Sequence, residues 1–241
     1  MSSKYVGDEL QLFKLATHWK QYWSSFLSPY VEGEVLEVGA GNGANIDFLI
    51  NSKVHSWTCL EPDKNLADQI SYNSSDSRVS IEVSKLHDFS PNKMFDSLVV
   101  IDVLEHIYDH EEATGDLLRL LKPGGNLLIL VPAHEFLFSK FDKSVGHYRR
   151  YNKKMLKSKI SGYFVVNQLF YLDSVGLLIS LANKILLRQH LPKETQILFW
   201  DKFLIKFSIK IDKIFRYKLG KSLIGIFKKP KTFQHYGKIT P

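Results

Sequence analysis

Three glycines, Gly39, Gly41 and Gly43, stand between a short apolar segment and a segment with helical spacing. Residues 35–38 are predicted to form a buried strand, and residues 45–50 are predicted to begin a helix. Glycine lets the backbone adopt conformations that a side chain forbids and lets a ligand approach closely, while a helix N-terminus offers unpaired N–H groups. This arrangement predicts a nucleotide-binding loop at the carboxyl end of a parallel strand.

The glycine spacing fits more than one ligand class. The pattern Gly39-x-Gly41-x-x-Ala44 satisfies a loose form of the dinucleotide fingerprint. The pattern Gly39-x-Gly41-x-Gly43, with Glu37 two residues earlier, resembles the first motif of class I S-adenosylmethionine-dependent methyltransferases. A plain tight turn in an α/β protein is the third interpretation. The turn alone does not separate them.

Glu61 ends the next predicted strand, 22 positions after Gly39. This spacing is close to the ~20 residues expected when an acid at the end of the second strand binds a ribose, since a carboxylate can accept from both hydroxyls. The alternative is helix capping, because Pro62 is of a type favoured at the first helical position.

A segment with a histidine and two arginines follows the fifth predicted strand. His147 can accept a proton near neutral pH, and Arg149 and Arg150 can each bind phosphate or carboxylate through two N–H groups. The alternative is structural: the arginines anchor the loop through carboxylates such as Asp142 or Glu105, and His147 donates to a backbone carbonyl.

Composition limits the class of protein. The chain has 241 residues, 44% of them hydrophobic, enough for one large domain or a domain with a small cap. Cys59 is the only cysteine, which excludes an intramolecular disulfide and cysteine-based metal sites. Residues 1–135 carry a net charge of −10 and residues 136–241 a net charge of +17. The basic half favours an anionic partner, and the absence of an apolar leader favours a cytoplasmic protein.

Predicted strands alternate with predicted helices, which indicates an α/β fold with a doubly wound, seven-stranded, mostly parallel sheet. The strands are expected near residues 35–38, 57–60, 79–83, 95–101, 126–131, 163–166 and 222–227, the last two forming an antiparallel pair at the edge. The sequence predicts that the chain is divided into four regions: an N-terminal helix or lid (1–30), the core (31–170 and 221–229), a helical cap (171–220) and a tail (230–241).

Residues 200–218 are amphipathic when wound as a helix. Trp200, Phe203, Phe207 and Phe215 fall on the predicted apolar side, and lysines fall on the other. This pattern fits a cap helix over the active site or a helix at a membrane interface. Residues 175–182 are apolar but too few to span a bilayer.

Five motifs in order resemble class I S-adenosylmethionine-dependent methyltransferases of the small-molecule type. They are the glycine loop at residues 35–43, Glu61-Pro62-Asp63, Phe95-Asp96, residues 102–107, and Leu120-Leu121-Lys122-Pro123-Gly124-Gly125. The resemblance implies S-adenosylmethionine as cofactor and no metal. It also implies cofactor contacts by Glu37 (through the loop amides), Gly39, Gly41, Gly43, Glu61, Pro62 and Asp102, with Leu86 and Ile101 flanking the adenine.

Residues 131–151 resemble a subgroup often found among cell-surface polysaccharide and secondary-metabolite enzymes. By position, His147 and Tyr148 are the expected catalytic residues, and Arg149, Arg150 and Tyr151 are expected to bind the acceptor. The expected reaction moves a methyl group by in-line displacement to the oxygen, or else the nitrogen, of a small anionic, lipid-linked or glycan-linked molecule.

Two rival functions remain open at this point. One is a nicotinamide-dependent oxidoreductase that uses the alternative glycine pattern. The other is a non-catalytic protein of the same fold that docks on a membrane. The sequence argues against nucleic acid as a partner, because the Asp-Pro-Pro-Tyr pattern of nucleic-acid aminomethylases is missing after the fourth strand. A monomer and a homodimer are both compatible with the sequence, as is peripheral membrane contact through residues 200–218.

Overall fold

A computed structural model describes residues 9–160, 162–187 and 192–231 of the chain. Seven strands form one sheet in the order β3-β2-β1-β4-β5-β7-β6. Their bounds are β1 Gly33–Val38, β2 Val54–Leu60, β3 Val79–Glu82, β4 Phe95–Ile101, β5 Leu121–Pro132, β6 Val165–Leu172 and β7 Ser222–Lys228. The predicted α/β fold with a mostly parallel, doubly wound sheet is confirmed.

The strand directions place the glycine loop at the centre of one sheet edge. β1 pairs in parallel with β2 on one side and with β4 on the other, and β4 pairs in parallel with β5. β7 runs antiparallel between β5 and β6. The carboxyl ends of β1, β2 and β4 therefore meet at one edge, where open α/β sheets bind their ligands.

The helices cover both faces of the sheet. Their bounds are α1 Glu9–Lys14, α2 Thr17–Leu27, α3 Ile46–Leu49, α4 Lys64–Asn73, α5 His110–Leu120, α6 Lys140–Ser144, α7 Lys153–Ile160, α8 Ser174–Ala182, α9 Glu194–Phe199 and α10 Ile205–Ile214. Asp63 and Asp109 accept hydrogen bonds from the first backbone amides of α4 and α5, so both helices begin at side-chain caps.

Alternate residues of the strands supply two separate cores. Val35 and Val99 pack on one face with Trp23 and Trp57, while Leu36 and Val100 pack on the other with Leu117. These side chains are almost fully buried. A strand that is apolar on both sides needs cover on both sides, which explains why helices precede, follow and connect the strands.

The N-terminal segment forms two helices instead of the single helix predicted from Leu10 to Leu27. α1 ends at Lys14 and α2 begins at Thr17. Asp201, from the helical insertion, accepts hydrogen bonds from the backbone N–H groups of His18 and Trp19 and so caps the start of α2. The N-terminal helices and the insertion are thereby attached to each other.

The helical insertion between β6 and β7 contains α8, α9 and α10, with π-helical turns at Asn183–Leu187 and Trp200–Leu204. Its buried side differs from the one that the cap interpretation predicts. Asp201, Ile205, Ser208 and Asp212 are buried. Phe203, Phe207 and Phe215, which the cap interpretation places inward, are about half exposed. None of the described helices is long and apolar enough to cross a membrane.

The tail predicted from residue 230 lies outside the described residues except for its first two positions. Residues 1–8 of the predicted lid and residues 188–191 of the predicted cap also lie outside them. The predicted cap boundary at 171 falls inside β6, which extends to Leu172.

Candidate functional site

The glycine loop has the backbone conformation that its sequence predicts. Gly39, Gly41 and Gly43 have φ values of +66°, +57° and +76°, a region that side chains disfavour. A Cβ added at Gly39 would lie 2.6 Å from Cγ2 of Val103. The loop therefore requires glycine both for its backbone angles and for its close packing on the segment after β4.

Glu61 joins the carboxyl ends of β1 and β2. One carboxylate oxygen accepts from the backbone N–H of Gly41 at 2.8 Å, and the other accepts from the N–H of Asp63 at 2.9 Å. Asp63, and not Glu61, caps α4, so the capping alternative is not needed to explain Glu61. A carboxylate has about four lone-pair sites, and two remain for the hydroxyls of a ribose.

Glu37 lies beside the glycine loop. It contacts the side chain of Asn45, and not the loop amides as expected. It accepts from the Asn45 side chain at 3.2 Å and from the Trp57 indole N–H at 3.1 Å. Burial raises the pKa of Glu37 to about 7, although these hydrogen bonds and Lys20 oppose the shift.

Lys20 was not identified by sequence reasoning. It projects from α2, is buried, and donates to Asn45 at 2.9 Å. Burial lowers its pKa to about 8. The only signal in the sequence was a lysine inside an otherwise apolar helix face, beside Trp19 and Trp23. Its position next to the loop shows which side of α2 faces the site.

A cavity of about 450 Å³ opens beside the loop, between the ends of β4 and β5, α2 and the helical insertion. Its polar groups include Lys20, Asn45, Asp102, Glu105, His106, His147, Arg150 and Lys221, and its apolar walls include Phe13, Trp19, Trp23, Leu137, Phe141, Ile179, Ile197 and Trp200. Asp102 has a φ of +52°, an uncommon value for a residue with a side chain. Burial raises the pKa of Asp102, and electrostatic interactions with His147 and Lys20 oppose this shift.

His147 and Arg150 reach the cavity and share one carboxylate. Oδ1 of Asp142 lies 2.9 Å from Nδ1 of His147 and accepts from Nε of Arg150 at 2.8 Å. Oδ2 of Asp142 accepts from the backbone and the hydroxyl of Ser139. These contacts overcome the effect of burial and lower the pKa of Asp142 to about 2.

Three of the five residues predicted to act in catalysis or acceptor binding do not line the cavity. Arg149 donates to the backbone carbonyls of Ile107 and Tyr108, at 2.7 and 2.9 Å. Tyr148 is 55% exposed, and the Arg149 guanidinium lies over its ring. Tyr151 is buried, and its hydroxyl donates to the carbonyl of Leu104. These contacts hold the loop in place, and the loop then presents His147 and Arg150.

The two residues expected to flank the adenine belong to different core clusters. Ile101 belongs to the core on one face of the sheet and lines the cavity. Leu86 packs in the core on the opposite face, with Leu60 and Phe89. Pro62 lies between Glu61 and the Asp63 cap and is partly buried.

A family model for methyltransferase domains matches residues 13–170. This match covers α2 and the sheet from β1 to most of β6, including the glycine loop, Glu61, Asp102 and His147. The chain therefore belongs to the family of S-adenosylmethionine-dependent methyltransferases. No match was found among curated protein sequences.

Solved structures show the same fold. One is a methyltransferase of Haloferax volcanii, solved with the Trm112 methyltransferase activator (TM-score 0.65, 15% identity, covering 94% of this chain and 96% of that one). Another is a methyltransferase of Thermotoga maritima (TM-score 0.62, 14% identity, 95% and 96% covered). A third is the N-methyltransferase NodS of Bradyrhizobium japonicum with S-adenosylhomocysteine (TM-score 0.56, 15% identity, 89% and 86% covered).

The residues present fit S-adenosylmethionine. Glu61 binds the backbone N–H of Gly41 in the glycine loop and offers further acceptors for the ribose. Lys20 and Asp102 line the cavity beside the loop, so a basic and an acidic group are available for the carboxylate and ammonium of a methionine group. When bound, the cofactor supplies an electrophilic methyl carbon on a sulfonium.

Proposed function

We propose that this methyltransferase acts on an oxygen of a lipid-linked acceptor, and that it takes this acceptor from an anionic membrane surface. Two features support the proposal. The cavity beside the loop is walled mainly by aromatic and aliphatic side chains. The outer surface of the same helical insertion exposes phenylalanines among lysines.

The charges inside the cavity favour a lipid over a phosphorylated small molecule. Arg150 is already paired with Asp142, and Lys221 lies 3.4 Å from Asp173. Lys20 contacts the cofactor loop. An anionic acceptor would have to compete with these partners, whereas an apolar chain needs only the apolar walls.

The exposed surface of the insertion carries both features of a membrane interface. Phe199, Phe203 and Phe207 are each between 55% and 57% exposed. Lys202, Lys206, Lys210 and Lys213 are exposed beside them. Aromatic side chains bury area among lipid headgroups, and lysines near an anionic surface contribute roughly 1 kcal/mol each. Charge complementarity therefore supports an anionic membrane as the occupant of this surface.

Alignment of the acceptor accounts for most of the catalysis. An acceptor oxygen held about 3 Å from the methyl carbon, in line with the carbon–sulfur bond, gains roughly 7–11 kcal/mol from proximity alone. General-base help gives about 10²–10⁴-fold, or roughly 3–6 kcal/mol. The apolar walls exclude water, and the loop anchored by Arg149 keeps His147 and Arg150 at the cavity.

Membrane docking is tested by co-sedimentation with vesicles of phosphatidylglycerol and, separately, of phosphatidylcholine. The chain is expected to sediment with the anionic vesicles and to be released as salt rises, because the attraction is screened. The double change Phe203→Ser and Phe207→Ser should abolish sedimentation. Tyr163→Ser removes an aromatic side chain outside the insertion that is also about half exposed, and it should have no effect. Equal sedimentation of all three proteins would contradict the docking surface.

The acceptor class is tested with methyl-labelled S-adenosylmethionine and a lipid extract of the source organism. Label is expected in the organic phase, and mass spectrometry should locate the methyl group on oxygen. Label only in water-soluble products, or on nitrogen, would contradict the proposal. A thermal-shift comparison of S-adenosylhomocysteine with NAD tests the rival oxidoreductase, which predicts stabilisation by NAD alone.

A further inference from the structure

We propose that Glu105, His106 and His147 form a binding site for a first-row divalent metal ion. The ion would hold the acceptor oxygen beside the methyl donor. Its role toward an oxygen acceptor rests on the proposed function, whereas the metal site itself does not. This proposal departs from the expectation that the reaction needs no metal.

The three side chains converge on the cavity. Each offers one ligand atom, and these atoms all lie within 4.8 Å of one another. Nε2 of His147 lies 3.9 Å from Oε1 of Glu105, and the rings of His106 and His147 have centroids 4.6 Å apart. All three residues line the same cavity as Asp102 and Lys20.

Glu105 is a buried carboxylate in need of a partner. The residue is 0% exposed, and neither of its carboxylate oxygens has a hydrogen-bond partner within the part of the chain that the structure describes. Buried polar side chains are nearly always hydrogen-bonded, and an unpaired buried carboxylate is costly. A bound cation would compensate for this cost, because it satisfies the carboxylate directly.

Both histidines are oriented as metal ligands are. Nδ1 of His147 is engaged by Asp142, so Nε2 is the nitrogen that faces Glu105. Asp142 is itself held by Arg150 and Ser139. The His106 ring hydrogen-bonds to the backbone of Gly146. Metal-ligating histidines are typically fixed in this way by a carboxylate or a backbone carbonyl on the other ring nitrogen.

The donor set selects the metal class. Two imidazole nitrogens and one carboxylate oxygen suit Zn²⁺, Mn²⁺, Fe²⁺ or Co²⁺ and leave coordination positions open for an acceptor. Ligands about 2.0–2.2 Å from a tetrahedral ion are roughly 3.4 Å apart. The three ligand atoms would therefore move together by about 1 Å, a shift within the range of side-chain rotation.

A metal ion at this position would activate a hydroxyl acceptor. Coordination would lower the pKa of a bound hydroxyl, which would lose its proton to solvent water at the mouth of the cavity as the acceptor binds. The acceptor oxygen, held by Glu105, His106 and His147 through the ion, would then form a bond to the methyl carbon of the donor. The carbon–sulfur bond would break at the same time, and its electron pair would remain on sulfur. The by-product is S-adenosylhomocysteine.

Metal binding is tested with the full chain after treatment with a chelator. Titration with Co²⁺ should produce visible absorption bands that saturate at one equivalent, and Zn²⁺ should displace the Co²⁺. The near-isosteric change Glu105→Gln should weaken Co²⁺ binding at least ~10-fold, the lower limit for losing even an indirect contributor to a metal site. His106→Asn provides a second variant if the first folds poorly, as judged by thermal melting.

The matched control is an exposed pair of the same residue types away from the cavity. Nδ1 of His87 lies 3.0 Å from Glu112, and both side chains are largely exposed. His87→Asn and Glu112→Gln should leave Co²⁺ binding unchanged. A wild-type protein that shows no saturable bands, or one that binds Co²⁺ no better than both site variants, would overturn the metal site. S-adenosylhomocysteine affinity and vesicle sedimentation, measured on the same samples, report separately on the proposed function.

Discussion

Replacement of Glu61 by glutamine tests the central feature of the cofactor site. The Glu61 carboxylate accepts from the backbone N–H groups of Gly41 and Asp63, one on each oxygen. Glutamine has the same shape but a single acceptor oxygen. Its NH₂ group must face one of the two N–H donors. Either Gly41 or Asp63 therefore loses its acceptor, and the ribose loses a charged partner.

The size of the effect follows from these contacts. Hydrogen bonds to a charged group contribute about 1.5–3 kcal/mol, against about 0.5–1.5 kcal/mol for neutral pairs. Loss of the charge and of one acceptor should weaken cofactor binding by roughly 1.5–3 kcal/mol. The expected dissociation constant for S-adenosylhomocysteine rises about 10- to 150-fold, since each 1.4 kcal/mol is a factor of ten.

Isothermal titration calorimetry with S-adenosylhomocysteine measures this change. Glu82→Gln is the matched control, because Glu82 ends the neighbouring strand β3 and its side chain is exposed. That variant should bind like the wild type. If Glu61→Gln also binds like the wild type while its thermal melting is unchanged, Glu61 does not hold the ribose and the cofactor site is placed wrongly.

Three further outcomes are expected. Lys20→Met should weaken S-adenosylhomocysteine binding about 10- to 150-fold by calorimetry, because it removes a charged contact of about 1.5–3 kcal/mol. Arg149→Gln should lower the unfolding free energy by about 1–3 kcal/mol in urea titrations without changing cofactor affinity, because the guanidinium bonds only loop carbonyls. For Glu37, the folded pKa of about 7 exceeds the usual 4.5. Its contribution to stability is full below pH 4.5 and is lost as pH rises through 7, by about 3 kcal/mol. The unfolding free energy of Glu37→Gln should therefore fall less than that of the wild type between pH 4.5 and 8, and parallel curves would refute this.

The sheet could be predicted from the sequence because its signals are local. Apolar runs such as residues 95–101 are compatible with a strand buried on both faces, and glycines at 39, 41 and 43 permit one kind of turn. The helical insertion was harder to interpret. The sequence left a buried cap helix and a membrane-interface helix both open. In the structure Asp201 and Asp212 are buried, since each accepts hydrogen bonds from other parts of the chain, while the phenylalanines are about half exposed.

The site was only partly predictable because its polar groups come from distant segments. Glu61 follows from its spacing after Gly39, a short-range pattern. Lys20 gives no such pattern, because its function depends on how α2 packs against the loop. Within residues 147–151, types alone could not separate His147 and Arg150, which face the cavity, from Arg149 and the two tyrosines, which hold the loop.

The buried aspartates also connect the proposed membrane surface to the site. Asp201 caps α2, and Asp212 accepts from the Tyr22 hydroxyl of α2 and from the backbone N–H groups of Asp173 and Ser174. The helix that carries Lys20 is therefore fastened to the insertion that exposes Phe203 and Phe207. Docking of that surface on a membrane would fix the insertion, and with it the cavity wall, relative to the lipid. An acceptor leaving the bilayer would then enter a cavity whose orientation the membrane has already set, which reduces the entropy lost in aligning it with the methyl group.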